Sequence, residues 1–170
     1  MDRFEIACGA GQPIGDEAGA QLLEPFIAAA RAALTEMAGT EVVVRAAAGT
    51  EPPQALGDVA AVVRLTSATD GYLVLGFPRR TAAALAERVL TGVVKEIDEG
   101  LICDCVGEIA NVVAGQAKAL LAGTPYHFTF SLPQVVLGGG PELGPHGARD
   151  CLAVAFGTDL GEMAMRLLWL

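Results

Sequence analysis

Between residues 18 and 37 apolar side chains recur at helical spacing, with Leu22, Phe26, Ala29, Ala33 and Met37 on one face. Pro25 reads as a first-turn residue, where a missing backbone donor costs little. Gly39-Thr40 stops this helix, and residues 41–47 read as a strand. Residues 49–57, with Pro52-Pro53, form a loop. Two β-rich runs, 59–66 and 72–77, flank Thr69-Asp70-Gly71 and predict a hairpin. A short helix over 81–90 follows Pro78, and a long one over 98–122 has Asp98 as its N-cap. Gly123-Thr124-Pro125 ends the long helix. Residues 126–137 are strand-like with a break at Pro133, 138–149 form a loop, and 151–156 with 162–170 predict a last hairpin around 157–161. Residues 1–16 are Gly-rich and weakly patterned, which predicts a loose arm before a single domain over 17–170.

The order helix, Gly-Thr stop, strand, loop and hairpin occurs twice. Gly39-Thr40 matches Gly123-Thr124 at an offset of 84 (123 − 39). The expected architecture is α+β: a mostly antiparallel sheet with the long helices packed on one face, built from two helix–strand–hairpin half-repeats.

Composition narrows the function. The chain has 170 residues, 52% of them hydrophobic, which excludes disorder and suits one domain. With 30 alanines and only 5% aromatics, the core is expected to pack closely through small side chains. A net charge of −9 argues against nucleic acid as a partner, since phosphate binding needs clustered Lys and Arg. No basic region followed by an apolar run opens the chain, so a cytoplasmic location is expected. The longest charge-free stretch, residues 119–141, is broken by Gly123, Pro125, Pro133 and Gly138-Gly139-Gly140. It reads as buried strands, with no membrane span. Cys8, Cys103, Cys105 and Cys151 lack CxxC spacing and are expected to be free thiols, with no metal site.

The long helix divides into two faces. At 100° per residue, Asp104, Glu108, Asn111, Gly115 and Lys118 fall within about 80° of arc, opposite Ile102, Ile109, Val113, Ala117 and Leu120. A polar stripe alone is what any solvated helix face shows. Here Glu108 and Asn111 are three apart, so a carboxylate and a carboxamide project side by side. Gly107 and Gly115 flank them, although each costs about 1 kcal/mol relative to Ala. Glycine on an exposed helix face lets another surface come close, so the stripe reads as a contact surface formed by Asp104, Gly107, Glu108, Gly115 and Lys118 around Asn111.

The segment Asp104-Cys105-Val106-Gly107-Glu108-Ile109-Ala110-Asn111-Val112-Val113-Ala114-Gly115 resembles the signature helix of the CheX/CheC chemotaxis phosphatases. That motif has an acidic or Ser position, a Glu, an Asn three residues later and a Pro further on. Asp104, Glu108 and Asn111 match it, and Pro133 lies 22 residues beyond Asn111 (133 − 111). Ser131-Leu132-Pro133-Gln134-Val135-Val136 and Glu24-Pro25-Phe26 are similar to the family as well, so the resemblance runs from about Leu22 to the end.

The resemblance implies a CheC-like fold and an enzyme that hydrolyses the phosphoaspartate of a CheY-type response regulator, ending a chemotaxis-type signal. By motif position, Glu108 would pair with a receiver Lys and fix docking, while Asn111 would orient a water for in-line attack on phosphorus. The chemistry is sound: an acyl phosphate is already activated, so positioning the water is the main task. A neutral amide can donate to and accept from that water without setting a second negative charge beside the phosphoryl oxygens. No cofactor of its own is implied, because the phosphorylated receiver holds the Mg²⁺. Under the offset of 84, Glu24 aligns with Glu108 but Ile27 with Asn111, which implies the one-site CheX arrangement. Single-site members of the family form homodimers, and a homodimer is expected here.

Other signals carry less. His127 and His146 read as structural or solvent-facing; Gly138-Gly139-Gly140 lacks the Lys-Ser/Thr and helix start of a phosphate cradle; Ser131 lacks the glycines of a nucleophile elbow. The alternative to catalysis is an adaptor on the same fold, as in flagellar-switch components, that binds a receiver without dephosphorylating it.

Overall fold

Alternation at period two builds the sheet: in the strand Val59–Thr66, Val59, Ala61, Val63 and Leu65 are buried in the main core, while Arg64 and Thr66 are exposed. The structure, a computed structural model, describes residues 16–47, 57–68, 70–138 and 150–169. The elements run α1 (Asp16–Ala38), β1 (Val43–Ala47), β2 (Val59–Thr66), β3 (Gly71–Phe77), α2 (Arg79–Val89), α3 (Glu99–Leu120), β4 (Thr129–Phe130), β5 (Gln134–Leu137), β6 (Asp150–Thr158) and β7 (Gly161–Trp169).

The sheet is antiparallel throughout, in the order β1-β6-β7-β3-β2, with β4 and β5 both pairing β2 at the far edge. The two half-repeats interlock in it. Each half lends its edge strand to the other half's hairpin, β1 to β6 and β4–β5 to β2, and the hairpins join through β3 and β7. Helices α1 and α3 pack side by side, with α2 against α3. Their alanines, Ala30 and Ala33 in α1 and Ala110, Ala114 and Ala117 in α3, are fully buried and let the backbones approach closely. One core takes Phe26, Leu34, Leu85, Ile109 and Val113 from the helices and Leu73, Leu75, Phe77, Phe156, Met163 and Met165 from the sheet. Ala60, Val74 and Leu168 form a smaller buried cluster with Val62 and Tyr72. Among the described residues no helix is long and apolar enough to cross a membrane.

Both Gly-Thr stops are left-handed glycines, Gly39 at φ 59° and Gly123 at φ 77°. Gly39 directly follows α1 and its amide donates to the Thr35 carbonyl oxygen, while Gly123 lies beyond Leu121, the C-cap residue of α3. Thr40 then donates its hydroxyl hydrogen to Asp159 in the β6–β7 turn. Arg88 of α2 reaches both Asp159, at 3.3 Å, and the Ala38 carbonyl oxygen, at 3.4 Å. This clasp ties the end of α1 to α2 and to the last hairpin.

Several expectations are corrected. Pro25 lies inside α1, because the helix begins at Asp16. The buried Leu22, Leu23, Phe26 and Ile27 carry the core face across the proline, and their packing outweighs its helix-breaking cost of about 3 kcal/mol. The last connection is a two-residue turn, Asp159-Leu160, since Gly157 stays paired with both Val43 and Glu162, and Thr158 with Gly161. Residues 126–128 are not strand; they follow the helix stop, with the His127 amide donating to the Thr124 carbonyl oxygen at 3.3 Å. Leu120 is exposed, and the C-cap residue Leu121 takes the buried position at that end of α3. The expected arm falls almost entirely on residues 1–15, and the expected loops largely on 48–56 and 139–149, all outside the described residues.

Candidate functional site

Helix α3 starts where Asp98 accepts a hydrogen bond from the Leu101 amide, 2.8 Å, the N-cap expected from sequence. Glu99 in the first turn pairs with Arg79, and Lys118 occupies the last turn, so both charges suit the helix dipole. Val106, Ile109, Ala110, Val113, Ala114 and Ala117 are buried beneath. That burial fixes the rotation of the helix and so determines what its outer side presents.

The outer side presents Asp104 and Glu108, both exposed, and Asn111, half-buried. Asn111 follows Glu108 by one turn, so the amide and the carboxylate are neighbours on the surface. The amide can donate and accept at once; the carboxylate can take a cation or an N–H donor. In the first half-repeat the aligned Ile27 is a core residue, 8% exposed. The amide is therefore displayed by α3 and not by α1.

Gly107 and Gly115, both half-buried, each have a neighbour within the chain. A Cβ on Gly107 would stand 3.4 Å from Val135 Cγ2, and one on Gly115 3.8 Å from Phe130 Cζ. The surface that approaches these glycines is the chain's own β4–β5 edge. Lys118 joins them, its Nζ 5.9 Å from the centre of the Phe130 ring, a cation–π contact. Phe130 is backed in turn by Phe128, 6.2 Å away between ring centres, and Phe128 stacks on Phe26 of α1 at 5.6 Å. The six stripe residues thus divide into Asp104 and Glu108 on the open side, Gly107, Gly115 and Lys118 along the seam with β4 and β5, and the half-buried Asn111 on the line of the helix between the two glycines.

The neighbouring thiols are not part of this chemistry. Cys103 and Cys105 are free. Burial pushes the Cys105 thiol up to about 11, so it stays protonated at neutral pH as a core side chain. Cys103 is also raised, first by desolvation and then by Glu99 and Asp104. Among the described residues no group of three or more His, Cys, Asp or Glu could hold a metal ion. His127 is exposed with Nδ1 3.0 Å from the Thr124 carbonyl oxygen, and His146 lies outside the described residues.

Sequence reasoning missed Phe130, Leu132 and Val135, which flank the stripe from the sheet side. Their signal was present in the uncharged run from Phe128 to Gly138, which sequence reasoning read as buried strand and, over Ser131–Val136, as family-like; β4 and β5 are instead largely exposed, at Thr129, Gln134, Val136 and Leu137.

Comparison with known proteins follows the same lines. Residues 59–157 match the family model described as chemotaxis phosphatase CheX. A chemotaxis protein of Desulfovibrio vulgaris Hildenborough is 30% identical, with a TM-score of 0.76, covering 88% of this chain and 97% of that one. The chemotaxis protein CheX of Desulfovibrio desulfuricans is 26% identical, with a TM-score of 0.75 over 88% and 99%. At 20% identity, a TM-score of 0.68 and coverage of 87% and 96%, the CheX of a CheX–CheY–BeF3–Mg²⁺ complex from Borrelia burgdorferi shares the fold. No curated protein sequence matches the chain.

Proposed function

Because this chain belongs to the CheX family of chemotaxis phosphatases, we propose that it hydrolyses the phosphoaspartate of a CheY-type receiver domain, with Asn111 orienting the water and Glu108 holding the receiver. The observation that carries this reading is the display of an amide and a carboxylate one turn apart on the outer side of a helix whose other face is locked into the core. The Borrelia relative, solved with CheY, BeF3 and Mg²⁺, supports a partner of the same kind.

In this reading the partner brings the acyl phosphate and the Mg²⁺, and α3 inserts the amide. The Asn111 carboxamide oxygen accepts a hydrogen from water, which aligns the water oxygen opposite the aspartyl leaving oxygen. A P–O bond to water forms, the P–O bond to aspartate breaks, and the water's proton leaves with inorganic phosphate. The aspartate carboxylate is regenerated. Glu108 acts one turn away, where a receiver Lys would neutralise it and fix the angle of docking.

The test is the decay of phosphorylated receiver at constant Mg²⁺. The wild-type chain shortens its lifetime, and Asn111→Ala loses that acceleration by about 10²-fold while still binding receiver. Undiminished turnover in Asn111→Ala would overturn the mechanism; binding of phosphorylated receiver without any shortening by wild type would make the chain an adaptor.

Because only one half-repeat displays the amide, we also propose that two copies associate to present two sites per particle. Light scattering reads this directly, and a monomer at micromolar concentration would refute it.

A further inference from the structure

Leu132 is 83% exposed, the most exposed large hydrophobic side chain among the described residues. A lone exposed leucine is ordinary on a protein surface. This one is held out by a built feature. Along β2 the pairing steps from Leu65↔Phe130 to Val62↔Gln134, so four residues of the edge strand oppose three of β2 and one residue is extra. Such a bulge re-aims side chains. Ser131 is fixed on both sides: its amide donates to the Arg64 carbonyl oxygen, 3.0 Å, and its Oγ accepts from the Arg64 amide, 3.1 Å. Pro133 restricts the chain on the other side of Leu132.

The bulge has a definite place relative to the stripe. Gly115 faces Phe130 and Gly107 faces Val135, so α3 and the β4–β5 edge run antiparallel past each other. Asn111 lies four residues from each glycine on the same line of the helix. It is therefore level with Ser131-Leu132-Pro133, the segment between Phe130 and Val135.

Charge says what such a feature is for. The chain carries −9, and Asp104 and Glu108 sit on the open side of the stripe. A phosphorylated aspartyl pocket is also anionic, so broad electrostatic attraction cannot bring the two together. From Phe128 to Gly138 there is no charged side chain. We infer that Leu132 is an apolar docking residue for the receiver domain, burying itself on the surface that borders the phosphorylated pocket and setting receiver affinity rather than the rate of the chemical step. This rests on the function proposed above and names a contact of that same site. Because Leu132 is already held between a doubly bonded serine and a proline, its ordering costs little on binding.

The experiment uses the full chain and the CheY-type receiver domains of its source organism, loaded with beryllofluoride and Mg²⁺ for binding and with phosphate for kinetics. Leu132→Ala is expected to raise Kd and KM about threefold to tenfold and Leu132→Asp more than tenfold, with kcat changed less than twofold and the melting temperature unchanged. Val93→Asp, equally apolar and exposed but on the connection between α2 and α3, is the control and leaves both constants at wild-type values. Unchanged Kd and KM in Leu132→Asp beside an active wild type would overturn the contact alone. So would an equal loss in Val93→Asp, or a loss explained by dissociation of a homo-oligomer in light scattering. A wild type that neither binds receiver nor shortens its phosphoryl lifetime overturns the proposed function and this contact with it.

Discussion

Gly107 on α3 faces Val135 on β5, and the space for a Cβ at that position ends 3.4 Å from the Val135 methyl. The contact sets how close the helix lies to the sheet edge, and hence how the stripe is carried beside it. Glycines in the signature helix that seemed made for a partner have an internal neighbour. The distinction can be measured.

Alanine fits both positions at ordinary van der Waals distance, 3.4 Å for Gly107 and 3.8 Å for Gly115, and removes a helix penalty of about 1 kcal/mol. Gly115→Ala, with the greater room, is expected to raise the melting temperature by about 2–4 °C and to leave receiver KM unchanged. Gly107→Leu cannot be accommodated without moving β5, and is expected to lower stability by about 1–3 kcal/mol. Thermal melts and receiver kinetics on the two variants check this. A large rise in KM in a stabilised Gly115→Ala would show that the glycine also meets the partner.

Glu108 is exposed beside Asn111, and its proposed task is docking. Glu108→Gln keeps the size and removes the charge. Receiver KM should rise about tenfold with kcat little altered, and the dependence of KM on salt should flatten because one cross-interface ion pair is gone. The check is a KM-against-salt series. A loss confined to kcat would move Glu108 from docking into the chemical step.

How far the sequence discloses this molecule depends on the range of the interaction. Helix extents, the hairpins and the Asp98 cap are local, and each stands within two residues of where pattern and capping place it. The stripe was legible for the same reason, being a matter of 100° per residue along one helix. What was not legible depends on distant partners. Pro25 is tolerated because residues far along the chain cover its helix, and Gly157 stays in β6 because β1 pairs with it. The seam under Gly107 and Gly115 needs strands that follow α3 in the chain, and the one-residue slip in β2 pairing that exposes Leu132 exists only between strands. Period-two reasoning sees faces but not register slips.

Gly161 illustrates a position where space and backbone agree. Its φ is 134°, and a Cβ there would overlap Thr81 Oγ1, whose residue is 3% exposed at the start of α2. Gly161→Ala must strain the backbone and displace a buried hydroxyl together, so a loss of about 2–3 kcal/mol is expected in denaturant titration. Gly161→Ala combined with Thr81→Ser keeps the hydroxyl clash and recovers little. Combined with Thr81→Ala it should recover part of the loss, the backbone component remaining. Full recovery would show that the clash alone matters.

Thr40 and Asp159 make stability depend on acid. The Thr40 hydroxyl hydrogen bond holds the Asp159 carboxyl below the usual carboxylate range; desolvation opposes it, and the hydrogen bond and charge of Arg88 add to the lowering. A folded-state pKa below the unfolded value of about 3.9 means the contribution is present in full above that value and is lost as pH falls through the folded pKa. The clasp should therefore weaken only below about pH 4, with no change between pH 5 and pH 8. Thr40→Val removes the largest cause while keeping the buried shape, Thr40 being 1% exposed. Its melting temperature should be lower than wild type at neutral pH, and the difference should shrink as pH is taken below 4. Parallel melts of the two proteins at pH 7, 5, 4 and 3 decide it: a constant difference across the series would show that Thr40 acts through packing and not through the Asp159 carboxylate.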